Sequence, residues 1–163
     1  MLSATLTSFK ERMPEMRRRW EELLQVEPAA TPLGCPEAMA QLVPDSLERV
    51  FKLLLKTPRR PLSVSEARLW LPTCDCGHNP YRTYFIAGEQ AVTEGFVYVE
   101  ASLPPSERRP SDMAEVIYAI RRLARAEIET FCGACVHRGK ADQCRHRFAA
   151  GANGRARRVT AEV

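Results

Sequence analysis

Residues 79–135 read NPYRTYFIAGEQAVTEGFVYVEASLPPSERRPSDMAEVIYAIRRLARAEIETFCGAC, and this stretch decides the fold. It opens on Asn79-Pro80, a cap residue followed by proline at the first helical position, where its missing N–H costs nothing. Tyr81, Phe85, Gly88, Val92, Phe96 and Val99 then recur at helical spacing. Gly88, Ala91 and Gly95 would let a neighbouring helix come close. A polar loop with three prolines, Pro104 to Pro110, interrupts the pattern. Ser111 or Asp112 caps a second helix with the stripe Met113, Val116, Ile117, Ile120, Leu123, Ala124, Ile128 and Phe131. Arg121, Arg122, Arg125 and Glu129 lie between those positions, as expected of a half-buried helix with a solvated charged face. Pro80 to Leu103 and Ser111 to Cys135 span 24 and 25 residues. At about 1.5 Å per residue the two helices match in length. An antiparallel hairpin therefore brings the start of the first beside the end of the second.

Cysteines mark both of those ends. Cys74-Asp75-Cys76-Gly77-His78 precedes the first helix, and Cys132-Gly133-Ala134-Cys135 closes the second. Zinc takes tetrahedral sulfur ligation, commonly from two short cysteine pairs in separate parts of a fold. A C-x-x-C pair on a helix presents both sulfurs on one face. A C-x-C-G pair suits a tight turn, with Gly77 free to adopt conformations that other residues resist, and the helix start behind it favours thiolate. The expected metal ligands are Cys74, Cys76, Cys132 and Cys135, holding one zinc ion. An iron–sulfur cluster accepts the same four thiolates and is the less favoured cofactor. Cys144 is the first substitute for one of the four, and His78, His137 and His146 are others, as ligands or as donors to the thiolates. Cys35, alone before Pro36, reads as a packing residue.

The rest of the chain is also helical in pattern. Leu6, Phe9, Met13, Met16, Trp20, Leu23 and Leu24 form one stripe, with a kink or break expected at Pro14. Glu27 to Pro36 holds three prolines and a glycine and reads as a linker, with a short helix after Pro36. Asp45-x-x-Glu48 has capping-box spacing and would open a separate helix carrying Leu47, Val50, Phe51, Leu54 and Leu55, ended by Thr57-Pro58. Ser63-x-x-Glu66 repeats that spacing before a short helix to about Leu71-Pro72. No strand of useful length and no internal repeat is evident. The expected class is all-α: a bundle of four to five main helices with the zinc site at one end of a long helical hairpin.

At 163 residues the chain is long enough for a core that does not depend on metal. Its formal charge of +4 is unevenly placed. Residues 136–163 hold seven basic and two acidic residues, so the body carries no excess of positive charge. The expected organisation is a helical zinc-binding domain over 1–147 and a basic, disordered tail over 148–163. No apolar run approaches the roughly 20 residues of a membrane span, and Met1 to Met13 lacks the features of a signal peptide. A cytoplasmic protein with reduced cysteines is expected.

Two resemblances extend these expectations. The set Cys74, Cys76, Cys132 and Cys135 resembles the C-x-C and C-x-x-C zinc centre of redox-activated holdase chaperones, which implies a zinc site that oxidation can open. The 55-residue gap between Cys76 and Cys132 is longer than that family's pattern, and the helices differ. Trp20, Leu23 and Leu24, a proline-rich break, then Leu42, Pro44, Leu47, Val50 and Leu54 resemble the helical N-terminal sensor domains of stressosome co-antagonists and some bacterial histidine kinases. That implies a bacterial regulatory module; the cysteines depart from the pattern. The expected function is a non-enzymatic regulatory or sensor domain with a four-cysteine zinc site and a protein partner or self-association. The alternative is a zinc-containing regulator that binds nucleic acid through Arg138, Lys140, Arg145, Arg147, Arg155, Arg157 and Arg158. An enzyme is disfavoured, because four cysteines close a zinc site to substrate.

Overall fold

The computed structural model describes residues 1, 3–26, 31–56 and 79–134. Among the described residues four α-helices form the fold: α1 (Ser3–Val26), α2 (Pro36–Lys56), α3 (Pro80–Ser102) and α4 (Asp112–Ala134). Short 3-10 turns at Pro32–Gly34 and Pro105–Glu107 punctuate the connections, and the described residues contain no strand. None of the four helices is long and apolar enough to cross a membrane.

Each helix packs on two others. α3 lies against α1 and α4, and α2 covers the opposite side of α1 and α4. Contacts fix the directions. Trp20 meets Tyr84 while Phe9 meets Phe96, so α1 and α3 are antiparallel. Asn79 meets Ile128 while Glu89 meets Arg121, so α3 and α4 are antiparallel. Phe9 stacks beside Phe51 and Gly34 touches Leu24, which runs α2 against α1. α2 and α3 are therefore parallel across the diagonal. The chain leaves α2 at one end of the bundle and enters α3 at the other.

The apolar stripes meet in one core. Phe9, Met16, Trp20, Leu24, Val43, Leu47, Val50, Leu54, Phe85, Val92, Phe96, Val116, Ile120 and Leu123 are all buried in it. The tightest contact is between α1 and α3. A Cβ on Gly88 would sit 2.1 Å from Cζ2 of Trp20, and one on Gly95 would sit 2.4 Å from Cγ of Met16. The glycines expected to admit a neighbouring helix thus admit α1, and the indole and thioether occupy the space their missing side chains leave. Trp20 donates its Nε1–H to the Tyr84 carbonyl at 3.0 Å, so the buried ring has no orphan donor. The Tyr84 and Ser46 hydroxyls share a buried hydrogen bond of 3.0 Å across the diagonal. Burial pushes the Tyr84 phenol well above its ordinary range, against the pull of Ser46.

Three local expectations change. α1 is unbroken at Pro14. Pro14 and Lys10, whose carbonyl loses its ladder partner, both face solvent, so water can satisfy the freed oxygen. α2 likewise runs through Pro44, as one helix from Pro36 rather than a short helix and a second one. Asp45 is then interior to a helix and pairs with Arg49 one turn on, at 3.6 Å, instead of capping. Cys35 is exposed, with its carbonyl accepting the Met39 N–H at 3.0 Å; it starts α2 rather than filling the core. The helix expected after Ser63 and the tail after 147 lie outside the described residues.

Candidate metal centre

The start of α3 and the end of α4 meet through one side chain. Asn79 is buried at the α3 N-terminus, and its Oδ1 accepts the Tyr81 N–H at 3.0 Å, the expected cap. Its Nδ2 points the other way. It donates to the Ile128 carbonyl of α4 at 3.1 Å and to Sγ of Cys132 at 3.3 Å. Ile128 and Cys132 are one turn apart, so Asn79 spans the last buried turn of α4 while starting α3. Tyr81 and Phe131 close the same corner edge-to-face, with ring centroids 6.0 Å apart.

A third element joins them. Thr31 donates its hydroxyl to the Pro80 carbonyl at 2.9 Å and accepts the Leu33 N–H at 3.2 Å. The connection between α1 and α2 is thereby tied to the start of α3. Three segments converge on the end of the bundle where Cys132 sits, half-buried on the continuation of the Ile128 stripe.

Of the four expected ligands, Cys132 is the described one. Cys74, Cys76 and Cys135 lie outside the described residues, as do His78, His137, Cys144 and His146. Among the described residues no group of three His, Cys, Asp or Glu side chains is placed to hold a metal. No known protein family, curated protein or solved structure matches the chain.

A polar cluster that sequence reasoning missed occupies the opposite end of the bundle. The Met1 ammonium lies 2.8 Å from Oε2 of Glu115, both buried. Arg109 stands 3.8 Å from Asp112 and 4.0 Å from Glu115. Neither Asp112 carboxylate oxygen nor the Thr5 hydroxyl has a hydrogen-bond partner among the described residues. Burial raises the Asp112 carboxyl above its ordinary pKa, while the ammonium and Arg109 oppose the rise. The one sequence signal was Thr5: at Thr5, Phe9 and Met16 the buried face of α1 carries a hydroxyl where a hydrocarbon would be expected.

Proposed function

We propose that the chain is a non-enzymatic regulatory or sensor domain in which one zinc ion, held by Cys74, Cys76, Cys132 and Cys135, clips the start of α3 to the end of α4. The observation that carries this reading is the hydrogen bond from Asn79 to Cys132. Cys76 precedes Asn79 by three residues, a covalent reach of at most about 11 Å. Cys135 follows Cys132 by three residues, within the same reach. Chain length thus allows both cysteine pairs to reach one corner, Cys74 from five residues before Asn79, and zinc–sulfur distances of about 2.3 Å require that proximity. Asn79 would serve there as an N–H donor to a ligand thiolate. The bound ion would supply a cross-link with no open coordination position, which supports a structural or redox-sensitive role over a catalytic one. The resemblance to redox-activated chaperone centres and to bacterial sensor domains points the same way.

Among the described residues the core of the bundle includes no cysteine, so metal is proposed to fix the corner rather than the fold. Purified protein should carry about one zinc per chain and be colourless. Metal-free protein after purification under reduction, or a brown protein with iron and sulfide, would defeat the proposal. Cys132→Ser should lower metal content while most helicity survives, unlike a zinc finger that unfolds without its ion. Peroxide should release the zinc if the thiolates are a switch. Salt-sensitive binding to DNA or RNA through the basic C-terminal residues would favour the alternative role.

A further inference from the structure

A groove of about 270 Å³ runs between α2 and α4, lined by Arg49, Lys52, Leu53, Lys56, Arg122, Leu123 and Ala126. Its floor is apolar and its rim is cationic. Arg49 is committed: it pairs with Asp45 on its own helix and with Glu127 across the groove. Lys52, Lys56 and Arg122 are exposed, and among the described residues none of them forms an ion pair. Lys52 and Lys56 are one helical turn apart on α2, with Arg122 facing them from α4. Three unneutralised cations around an apolar floor attract a ligand that carries several negative charges and something greasy between them.

We propose that this groove docks a short acidic segment of a partner protein, its carboxylates on Lys52, Lys56 and Arg122 and one apolar side chain on Leu53, Leu123 and Ala126. The size argues against an engulfed small molecule, because enclosing pockets run from about 300 to 1,000 Å³. The surrounding charge argues against nucleic acid. Asp45, Glu48 and Glu127 bound the cations on the Arg49 side, so a phosphate backbone prolonging the strip that way would meet carboxylates. A short peptide can match the three cations and stop. This site lies on a different face from the Asn79–Cys132 corner and does not depend on the metal reading.

The test uses the full chain and three probes: a fluorescein-labelled peptide of three Glu-Glu-Leu repeats, the same peptide with serine for leucine, and labelled single-stranded oligothymidylate. Lys52→Glu/Lys56→Glu is compared with Arg18→Glu/Arg82→Glu, which makes the same charge change at exposed positions elsewhere on α1 and α3. Circular dichroism checks that both remain helical. By fluorescence anisotropy, the groove variant should bind the leucine peptide about tenfold or more weakly, which corresponds to the loss of a few charge contacts. The control variant should stay near wild type, and the serine peptide should bind several-fold less tightly than the leucine one. Hydrogen exchange should show protection confined to 49–56 and 122–126 when the leucine peptide is added. Equal losses in both variants, no loss in either, or equal binding of the two peptides would overturn the proposal. Tighter binding of the oligonucleotide, lost in the groove variant, would reassign the groove to nucleic acid.

Discussion

Gly88→Ala tests the α1–α3 interface most directly, because two effects of opposite sign meet there. Alanine in a helix interior is favoured over glycine by about 0.8 to 1.0 kcal/mol, so an open site would be stabilised. Here the new methyl would lie 2.1 Å from Cζ2, 2.4 Å from Cε2 and 2.5 Å from Cη2 of Trp20. Ordinary contact is about 1 Å longer or more. Trp20 is fully buried, and its Nε1–H is held by the Tyr84 carbonyl, so the ring cannot turn aside without surrendering that bond. Overpacking costs about 1 to 3 kcal/mol and a lost buried hydrogen bond about 1 more. The net expectation is a loss of about 2 kcal/mol, or about 4 to 8 °C in Tm for a chain of this size. Gly95→Ala should also lose stability, though less, because the new methyl would meet Cγ of buried Met16 at 2.4 Å while the outer thioether can shift. Urea denaturation of both variants supplies the measurement, with Trp20→Leu as a second background in which Gly88→Ala should cost less than half as much. A Gly88→Ala protein more stable than wild type would refute the close packing of α1 on α3.

Other expectations follow from the polar contacts. Asn79→Asp keeps the cap on Tyr81 but turns its donor into an acceptor facing the Ile128 carbonyl and Cys132, so it should lose about 1 kcal/mol or more despite being a good cap; equal stability in a denaturant titration would show the bridge to be idle. Tyr84→Phe leaves the buried Ser46 hydroxyl unpaired and should cost about 1 to 2 kcal/mol, whereas Tyr84→Phe with Ser46→Ala should recover most of it, as thermal melts would show. Asp112 has a raised pKa in the fold, so its charged form costs stability above that pKa and the cost is relieved as pH falls through it toward the ordinary 3.8. Asp112→Asn should therefore raise stability at neutral pH and flatten the stability profile below it, as denaturant titrations across pH would show; a loss at pH 7 would mean that the Met1 ammonium and Arg109 outweigh desolvation.

The hairpin was legible because its signals are local and agree with each other. Asn79-Pro80 starts α3, the glycines mark a close neighbour, and equal helix lengths bring the two ends together. The prolines misled because a proline's local rule does not say which side of a helix it faces. Pro14 on the solvent side leaves only a hydrated carbonyl, so tertiary packing of Phe9, Met16 and Trp20 carries the helix past it. Asp45-x-x-Glu48 has the spacing of a cap, but also that of any helix interior, and nothing local distinguishes the two. The α2–α4 groove was hidden because Lys52, Lys56 and Arg122 come from segments about 70 residues apart and each looks like an ordinary exposed cation alone. The buried cluster of Met1, Asp112 and Glu115 has the same origin. At the candidate metal centre, the placement of Cys132 beside the start of α3 followed from helix length, whereas the donor role of Asn79 required coordinates.

The parallel course of α2 and α3 has a kinetic side. Contacts within the α3–α4 pair close short loops, as between Glu89 and Arg121, 32 residues apart. Those joining α1 to α3 close much longer ones, 64 residues for Trp20 with Tyr84 and 75 for Arg19 with Glu94. Chain-closure entropy grows by about 0.6 kcal/mol per doubling, so the penalty differs by only about that much. The order of events is set more by what each partner needs. α4 can collapse onto α3 through ordinary side-chain contact, but the indole of Trp20 has a place to go only after α3 has wound and aligned Gly88 beneath it. α1, synthesised well ahead of α3, is thus the helix that must wait: α2 can cover Phe9 with Phe51, but the Tyr84 ring that meets Trp20 comes only with α3.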